Sequence, residues 1–535
     1  MKHKLLNPLR LLMVAICMLG LAAEGQNVMV GPIKYQLDPS TKTAKVVHNG
    51  GAITQDSIEI LEEILYEGET YIVNEIAEYS LTSNTFKYVT LPETITKIGE
   101  QAFMDDKQLE SIIIPNSVTI IQQQAFANCT SLKSIKLSEG MTCIPGGLFS
   151  GCTSLESIEI PNSVNHFMEH FDTMGLEEDV IMQDAMTYCS DWTFYYIGGL
   201  TFWNCSNLKT VYLPKNLRNI PGYCFQGCTN LSEIEMPTNL EYIATSSFSL
   251  CPLKYLEFPA SMTQWFNAPF DRYYTGAYFK SYHMNPAPRI DFYNTNLNAT
   301  LCVPKGMTGI YSNISDWNRF ARIIEATPVE LTSEWRTFCA VEDLDFSEVE
   351  GLEAFIATEY QDGKVLMEPI EQVPAGTGVV LKGAPGFYEI PYPDQDEALE
   401  PVDNLLVGLN YGERIQAETE DGQCNLFFND ATEMASLYYG PGFDTERAPR
   451  LTAEGEQPMF APADGARLPY HRAYLQLPAS EAGKTVEMVF GTLTGIEDVE
   501  AQPQTDNAIY NLQGQRVVNP GPGIYIQNGR KFIVR

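Results

Sequence analysis

The chain has 535 residues, 44% of them hydrophobic, with 68 Asp and Glu against 34 Lys and Arg and a net charge of −34. That length allows several buried cores. An acid excess of this size repels polyphosphate and anionic lipid, so nucleic acid is excluded as a partner.

The chain opens with the basic run Met1-Lys2-His3-Lys4, followed by an apolar core from Leu11 to Leu21 and small residues. This pattern predicts a signal peptide over 1–25, with cleavage after Ala22 or Gly25. It is too short and wrongly flanked for a membrane span. Cys17 follows Ile16 rather than a small residue, so the leader reads as exported and unlipidated. Residues 26–65 are expected to form an N-terminal β cap.

From there the chain is periodic. Phe103, Phe126, Phe149, Phe202, Phe225 and Phe248 are separated by 23 residues in four of their five gaps; the gap from Phe149 to Phe202 adds 30. One unit reads Ile121, Phe126, Cys129, Leu132, Ile135, Leu137. It recurs as Ile144 to Ile160 and as Ile220 to Met236, with Asp106 in the cysteine slot of an earlier copy. The alternating Ile135/Leu137 pair predicts a short half-buried strand, and the Phe-x2-Cys-x2-Leu stretch has helical or 3₁₀ spacing. Such a unit cannot bury its apolar side alone, so neighbours stack into a solenoid. Strands are expected at 89, 112, 135, 158, 211, 234, 256 and 301, within a solenoid over 66–327 interrupted by insertions near 166–195 and 266–291.

Cys129, Cys152, Cys205, Cys228 and Cys251 share one slot and are expected to form a ladder of free, buried thiols. Parallel side chains on neighbouring units bridge poorly.

After 327 the period stops. Short apolar runs with Gly and Pro punctuation over 328–494 predict an acidic, all-β, sandwich-like domain. Residues 331–500 hold 33 of the 68 acidic residues, against 9 Lys and Arg. Asp343-x-Asp345 and Asp394-x-Asp396 lack the Gly and distal Glu of a calcium loop. A polar linker over 495–508 leads to 509–535, where Asn528-Gly529 between alternating segments predicts a hairpin module.

No Gly-x-Ser-x-Gly elbow, phosphate-binding glycine loop or Cys-x2-Cys pair is present, and no cofactor is expected. His166-Phe167-Met168-Glu169-His170 has the H-x-x-E-H spacing of a zinc hydrolase. However, Phe167 falls in the apolar slot of the repeat, which argues against a helix there. The candidate binding residues lie where the period breaks: Trp192, Tyr195, Tyr196 and Trp203, then Trp265, Phe270, Arg272, Tyr273, Tyr274, Tyr278 and Tyr282. Insertions of repeat proteins collect on one face, and Tyr, Trp and Arg dominate interface hot spots. The alternative reading is a satellite hydrophobic cluster holding each insertion to the solenoid.

Ala125-Phe126-Ala127-Asn128-Cys129-Thr130-Ser131-Leu132 and Phe149-Ser150-Gly151-Cys152-Thr153-Ser154-Leu155 resemble the repeat of BspA-like bacterial cell-surface leucine-rich repeat proteins. The tail Gly523-Ile524-Tyr525-Ile526-Gln527-Asn528-Gly529-Arg530-Lys531 is similar to type IX secretion sorting modules. The first resemblance implies an α/β leucine-rich repeat solenoid and adhesion to a host or bacterial surface protein or glycan. The second implies the outer-membrane export machinery as a partner and display at the cell surface. A non-catalytic scaffold or spacer is the alternative function, and a zinc hydrolase using 166–170 the remaining one.

Overall fold

The computed structural model describes residues 25–168, 199–262, 277–283, 297–315, 317–430, 458–462 and 467–490, with backbone alone for Gln264–Trp265 and for short strands within 509–534. The chain is strand-rich, and the longest α-helical segment among the described residues is Thr308–Tyr311.

Strands β1 (Gln26–Val30), β2 (Ile33–Asp38) and β3 (Thr43–Val47) form an antiparallel meander that leads into the repeats. Beyond them, short strands stack in a column centred on Ile58, Val89, Ile112, Ile135, Ile158, Val211, Ile234, Leu256, Phe279, Leu301 and Ile323. Neighbours are paired in parallel wherever pairing is recorded. With about 4.8 Å between strands, eleven rungs make a spine of about 48 Å. A second parallel column runs through Ile76, Ile98, Ile121 and, further on, Ile220, Ile243 and Trp265.

Three differences from the sequence reading stand out. First, Tyr278–Ser281 is a rung, paired with Tyr255–Phe258 on one side and Thr300–Cys302 on the other. This part of the expected insertion near 266–291 continues the period.

Second, Arg322–Ile324 adds a rung beyond the strand at 301.

Third, the Phe-x2-Cys-x2-Leu stretches hold no helix, so the α half of the α/β expectation is not met. The residues two before and two after each Phe are left-handed. Gln124 and Asn128 have φ of 54° and 59°, Tyr223 and Gly227 have 58° and 80°, and the same holds at Gln101, Asp105, Gly147, Gly151, Asn204 and Leu250. A right-handed helix cannot pass through such residues. Instead the Phe N–H reaches the next coil: Phe126 donates to Leu148 O, Phe149 to Thr201 O, and Phe225 to Ser247 O.

The core is two ladders deep. The six phenylalanine rings stack at centroid distances of 5.1, 6.0, 5.6, 5.3 and 5.4 Å, and the 30-residue insertion does not interrupt the series. Beside them, the thiols of Cys129, Cys152, Cys205, Cys228 and Cys251 each donate to the phenylalanine carbonyl of the preceding coil, at 3.1 Å in every case. All ten described cysteines are free. Each thiol thereby adds a second donor to a carbonyl that already accepts the backbone N–H three residues on, such as Cys129 N–H on Phe126 O.

Beyond Ile324, nine strands form one continuous sheet running from Trp335–Phe338 at one end to Leu406–Leu409 at the other. In place of the expected sandwich, the described residues show this single sheet with a buried core on one face. All nine strands contribute a side chain to one buried cluster, among them Trp335, Phe355, Val365, Leu406, Leu426, Phe460, Leu475 and Val486. A Thr377–Val407 bridge draws the ends together. Alternate residues of Leu352–Gln361 and Val379–Gly383 face a second cluster on the other side of the sheet. The backbone strands Ile509–Asn511, Arg516–Val517, Gly523–Gln527 and Arg530–Val534 pair antiparallel.

Candidate binding surface

In each rung of the first column the central residue points inward, so the residues flanking it point out. The flanking pairs are Ser57/Glu59, Tyr88/Thr90, Ser111/Ile113, Ser134/Lys136, Ser157/Glu159, Thr210/Tyr212, Glu233/Glu235, Tyr255/Glu257, Tyr278/Lys280, Thr300/Cys302 and Arg322/Ile324. This outward strip divides into two parts with different fates.

From Glu159 onward it is covered by the chain's own β domain. Glu159 pairs with Arg414 and Arg467, and the Arg467 guanidinium lies 5.0 Å over the Tyr212 ring. Gly412 N–H donates to Glu235 at 2.6 Å. His471 Nε2 meets Glu257 at 2.7 Å. Lys280, fully buried, pairs with Glu342 at 2.7 Å and also bonds Tyr392 and Thr327. Arg322 forms a two-pronged pair with Glu389 at 2.7 and 2.8 Å. Lys215–Glu413 and Lys254–Glu330 flank the seam.

Electrostatics follow from this burial. Both ring nitrogens of His471 face acceptors, Glu257 and the Cys339 carbonyl, which requires the charged imidazolium. Burial alone would lower the His471 pKa, but Glu257 opposite holds it above the ordinary value. Burial likewise pushes Glu257 up, while His471 and the Tyr255 and Tyr282 hydroxyls bring it below the usual range. Glu235 lacks such a partner set, and burial pushes it up to about 7, against the pull of Arg467 and the Gly412 N–H.

The first four rungs are open. Glu59, Tyr88, Thr90, Ile113 and Lys136 are exposed, and Tyr88 and Ile113 retain 47% and 56% of their surface. Alongside them runs a row of alternating charge, with Lys87 on Asp56 at 3.3 Å and Lys133 on Glu110 at 2.9 Å. Large apolar side chains on an open strand strip are the informative departure from a solvated face.

Of the residues expected to bind from sequence, Trp203 is exposed and its indole N–H donates to Gln226. Trp265 lies on a strand of the second column, described by its backbone. Tyr278 and Tyr282 are committed to internal contacts. Tyr278 stacks on Phe387 at 4.6 Å and donates to Glu389, while Tyr282 donates to Glu257. Trp192, Tyr195, Tyr196, Phe270, Arg272, Tyr273 and Tyr274 lie outside the described residues. His166 is on a short strand opposite Cys143, with Nδ1 2.6 Å from Asn165 Oδ1, and Phe167 fills the apolar slot. Glu169 and His170 are outside the described residues. Tyr88 and Ile113 were missed because the repeat places them at ordinary strand positions. Within the first four rungs they are the large apolar residues at outward positions otherwise occupied by Ser, Thr or charge, but Tyr212, Tyr255, Tyr278 and Ile324 hold the same positions further on.

The fold and its two strand columns define a leucine-rich repeat solenoid. Residues 74–201 and 193–275 match, in six copies, the family described as BspA type Leucine rich repeat region. Similar solved structures include a leucine-rich repeat protein of T. pallidum, 24% identical, over 42% of this chain and 89% of that one, with a TM-score of 0.33. Another, from Bacteroides ovatus, is 22% identical over 55% and 76%, with a TM-score of 0.39. The pneumococcal vaccine antigen PcpA is 16% identical over 57% and 100%, with a TM-score of 0.27. No curated protein matches the chain. Among the described residues, no helix is long and apolar enough to cross a membrane.

Proposed function

We propose that this protein is a non-catalytic binding protein displayed at a bacterial surface, and that it takes its partner on the open strand strip of the first four rungs. The observation that carries this reading is the division of the strip. The chain covers its own later rungs with a charged seam and leaves Tyr88 and Ile113 open, side by side with Lys136 and Glu59. An aromatic and an aliphatic anchor ringed by hydroxyls and charges suit a protein surface, with an apolar centre and polar rim. Trp203, exposed on the turn side, supplies a second aromatic contact. Export rests on the leader pattern, and surface display on the likeness of the tail to type IX sorting modules. The partner class proposed, a host or bacterial surface protein or glycan, rests on the resemblance to BspA-like surface proteins.

The test is binding of the purified protein to a panel of matrix proteins and glycans, beside Tyr88→Ala and Ile113→Arg variants. The reading expects at least a tenfold loss in Ile113→Arg, equivalent to about 1.4 kcal/mol, with an unchanged melting temperature. Binding that both variants retain moves the site elsewhere. A panel without any hit favours a scaffold or spacer. Protease shaving of intact cells that spares the protein removes surface display.

A further inference from the structure

Strand β1 is the end strand of its sheet: β2 lies on one side, and no strand of the described residues lies on the other. The two-residue turn Gly31-Pro32 closes on the pair Val30 and Ile33, with Gly31 left-handed at φ 58°. In such a hairpin the closing pair exchanges both hydrogen bonds and the pattern alternates from there. Val30, Val28 and Gln26 therefore turn their N–H and C=O groups toward β2, while Asn27 and Met29 turn theirs to the open side.

Soluble proteins guard such edges with Lys, Pro, bulges or a covering segment. Among the described residues none of these guards β1: Gln26-Asn27-Val28-Met29-Val30 has no charge and no proline, in a chain of net charge −34. Met29 is 54% exposed, and Val28 and Val30 are half-buried, packed against the edge of the solenoid core.

We infer that β1 is a pairing edge and that its occupant is β1 of a second copy, joined antiparallel about a twofold axis at Val28. The strand is self-complementary in that arrangement. Asn27 faces the second copy's Met29, and Met29 its Asn27, so both outward-facing residues of each strand exchange hydrogen bonds. Val28 meets its own copy across the axis, on the face already packed against the core, and joins the two apolar edges. The absence of charge matters here. Like charges directly opposite across strands are destabilising, and a self-paired strand carrying one charge at its centre would oppose it to itself. Four backbone hydrogen bonds and a few apolar contacts bury less than a standard interface, so the association is of the transient class.

The test is sedimentation of the intact protein over a concentration series, beside Met29→Pro. Proline at 29 removes an N–H that is unpaired in the monomer and leaves the β1–β2 ladder intact. The expected result is a concentration-dependent species of twice the chain mass in the wild type and its loss in Met29→Pro. A wild type that stays monomeric, or a Met29→Pro dimer equal to the wild type, overturns the inference. A second measurement decides the matter if Met29→Pro fails to fold. Residues facing across a non-hydrogen-bonded antiparallel pair have Cα atoms about 4.5 Å apart, within disulfide reach. Val28→Cys should therefore give a disulfide-linked dimer on mild oxidation, and its absence overturns the proposal.

Discussion

His471 Nε2 and Glu257 Oε1 lie 2.7 Å apart although 214 residues separate them in sequence, and both are largely buried where the β domain meets the strand strip. The pair fixes the rolled sheet on the eighth rung.

Its contribution depends on pH in a definite direction. His471 has a folded pKa above its ordinary 6.5, so its share is complete below 6.5 and is lost as pH rises through the folded value. Glu257 lies below its ordinary 4.5, so its share is complete above 4.5 and is lost as pH falls through the folded value. Chemical denaturation should show His471→Ala costing about 3–5 kcal/mol near pH 5.5, and clearly less near pH 9. An equal loss at both values would show that the imidazole is not charged in the fold.

Lys280 has no exposed surface and depends on Glu342. Replacing it by Met leaves that carboxylate in the seam without its cation and should cost about 3–5 kcal/mol. The double replacement Lys280→Met with Glu342→Leu should recover most of this, because two apolar groups need no partner. A double-mutant cycle checks it; additive losses would mean the two residues do not interact.

Asp106 stands in the cysteine slot, fully buried, accepting the Asn84 N–H at 2.5 Å through one oxygen. Burial pushes its carboxyl up to about 8, against that hydrogen bond. A raised folded value means its contribution is complete below pH 3.8 and is lost as pH rises through about 8. Asp106→Asn should therefore stabilise the protein at pH 8 by a few kcal/mol, on the order set by 1.36 kcal/mol per pKa unit. The gain should shrink toward pH 4 in thermal melts at both values.

The ladder thiols are shut away and burial raises their pKa values, well above the ordinary range for Cys129, Cys205 and Cys228. Alkylation of the native protein, read by peptide mass, should mark Cys143, which is half-buried, and spare all five until denaturant is added. Cys152→Ala should cost about 1 kcal/mol for its hydrogen bond to Phe126 O.

The period revealed the solenoid because each rung repeats the same burial demand, and Phe126, Cys129 and Ile135 show it in plain order. The rung at Phe279 escaped notice because Tyr278 and Lys280 flank it, without the following proline of its neighbours. Only the 23- and 22-residue distances to Leu256 and Leu301 betray it. The helix expectation failed at Gln124 and Asn128, whose left-handed backbone spacing alone does not disclose, although Gly151 and Gly227 at the same position hint at it. The seam was illegible for a different reason. Glu159, Glu257 and Lys280 look like any solvated strand residue until their partners arrive from 62 to 308 positions away. Tyr88 and Ile113 share their outward positions with Tyr212, Tyr255 and Tyr278, and only the partners that cover the later rungs set them apart.

A solenoid on its own is a spring, in which each coil touches only the next and tension is shared along the whole array. Here the β domain grips rungs from Glu159 to Arg322 at once and acts as a splint on the rear of that spring. Under load between the two ends, the front coils, with Tyr88 and Ile113 among them, are the compliant part. Their spacing yields first while the rear holds its shape.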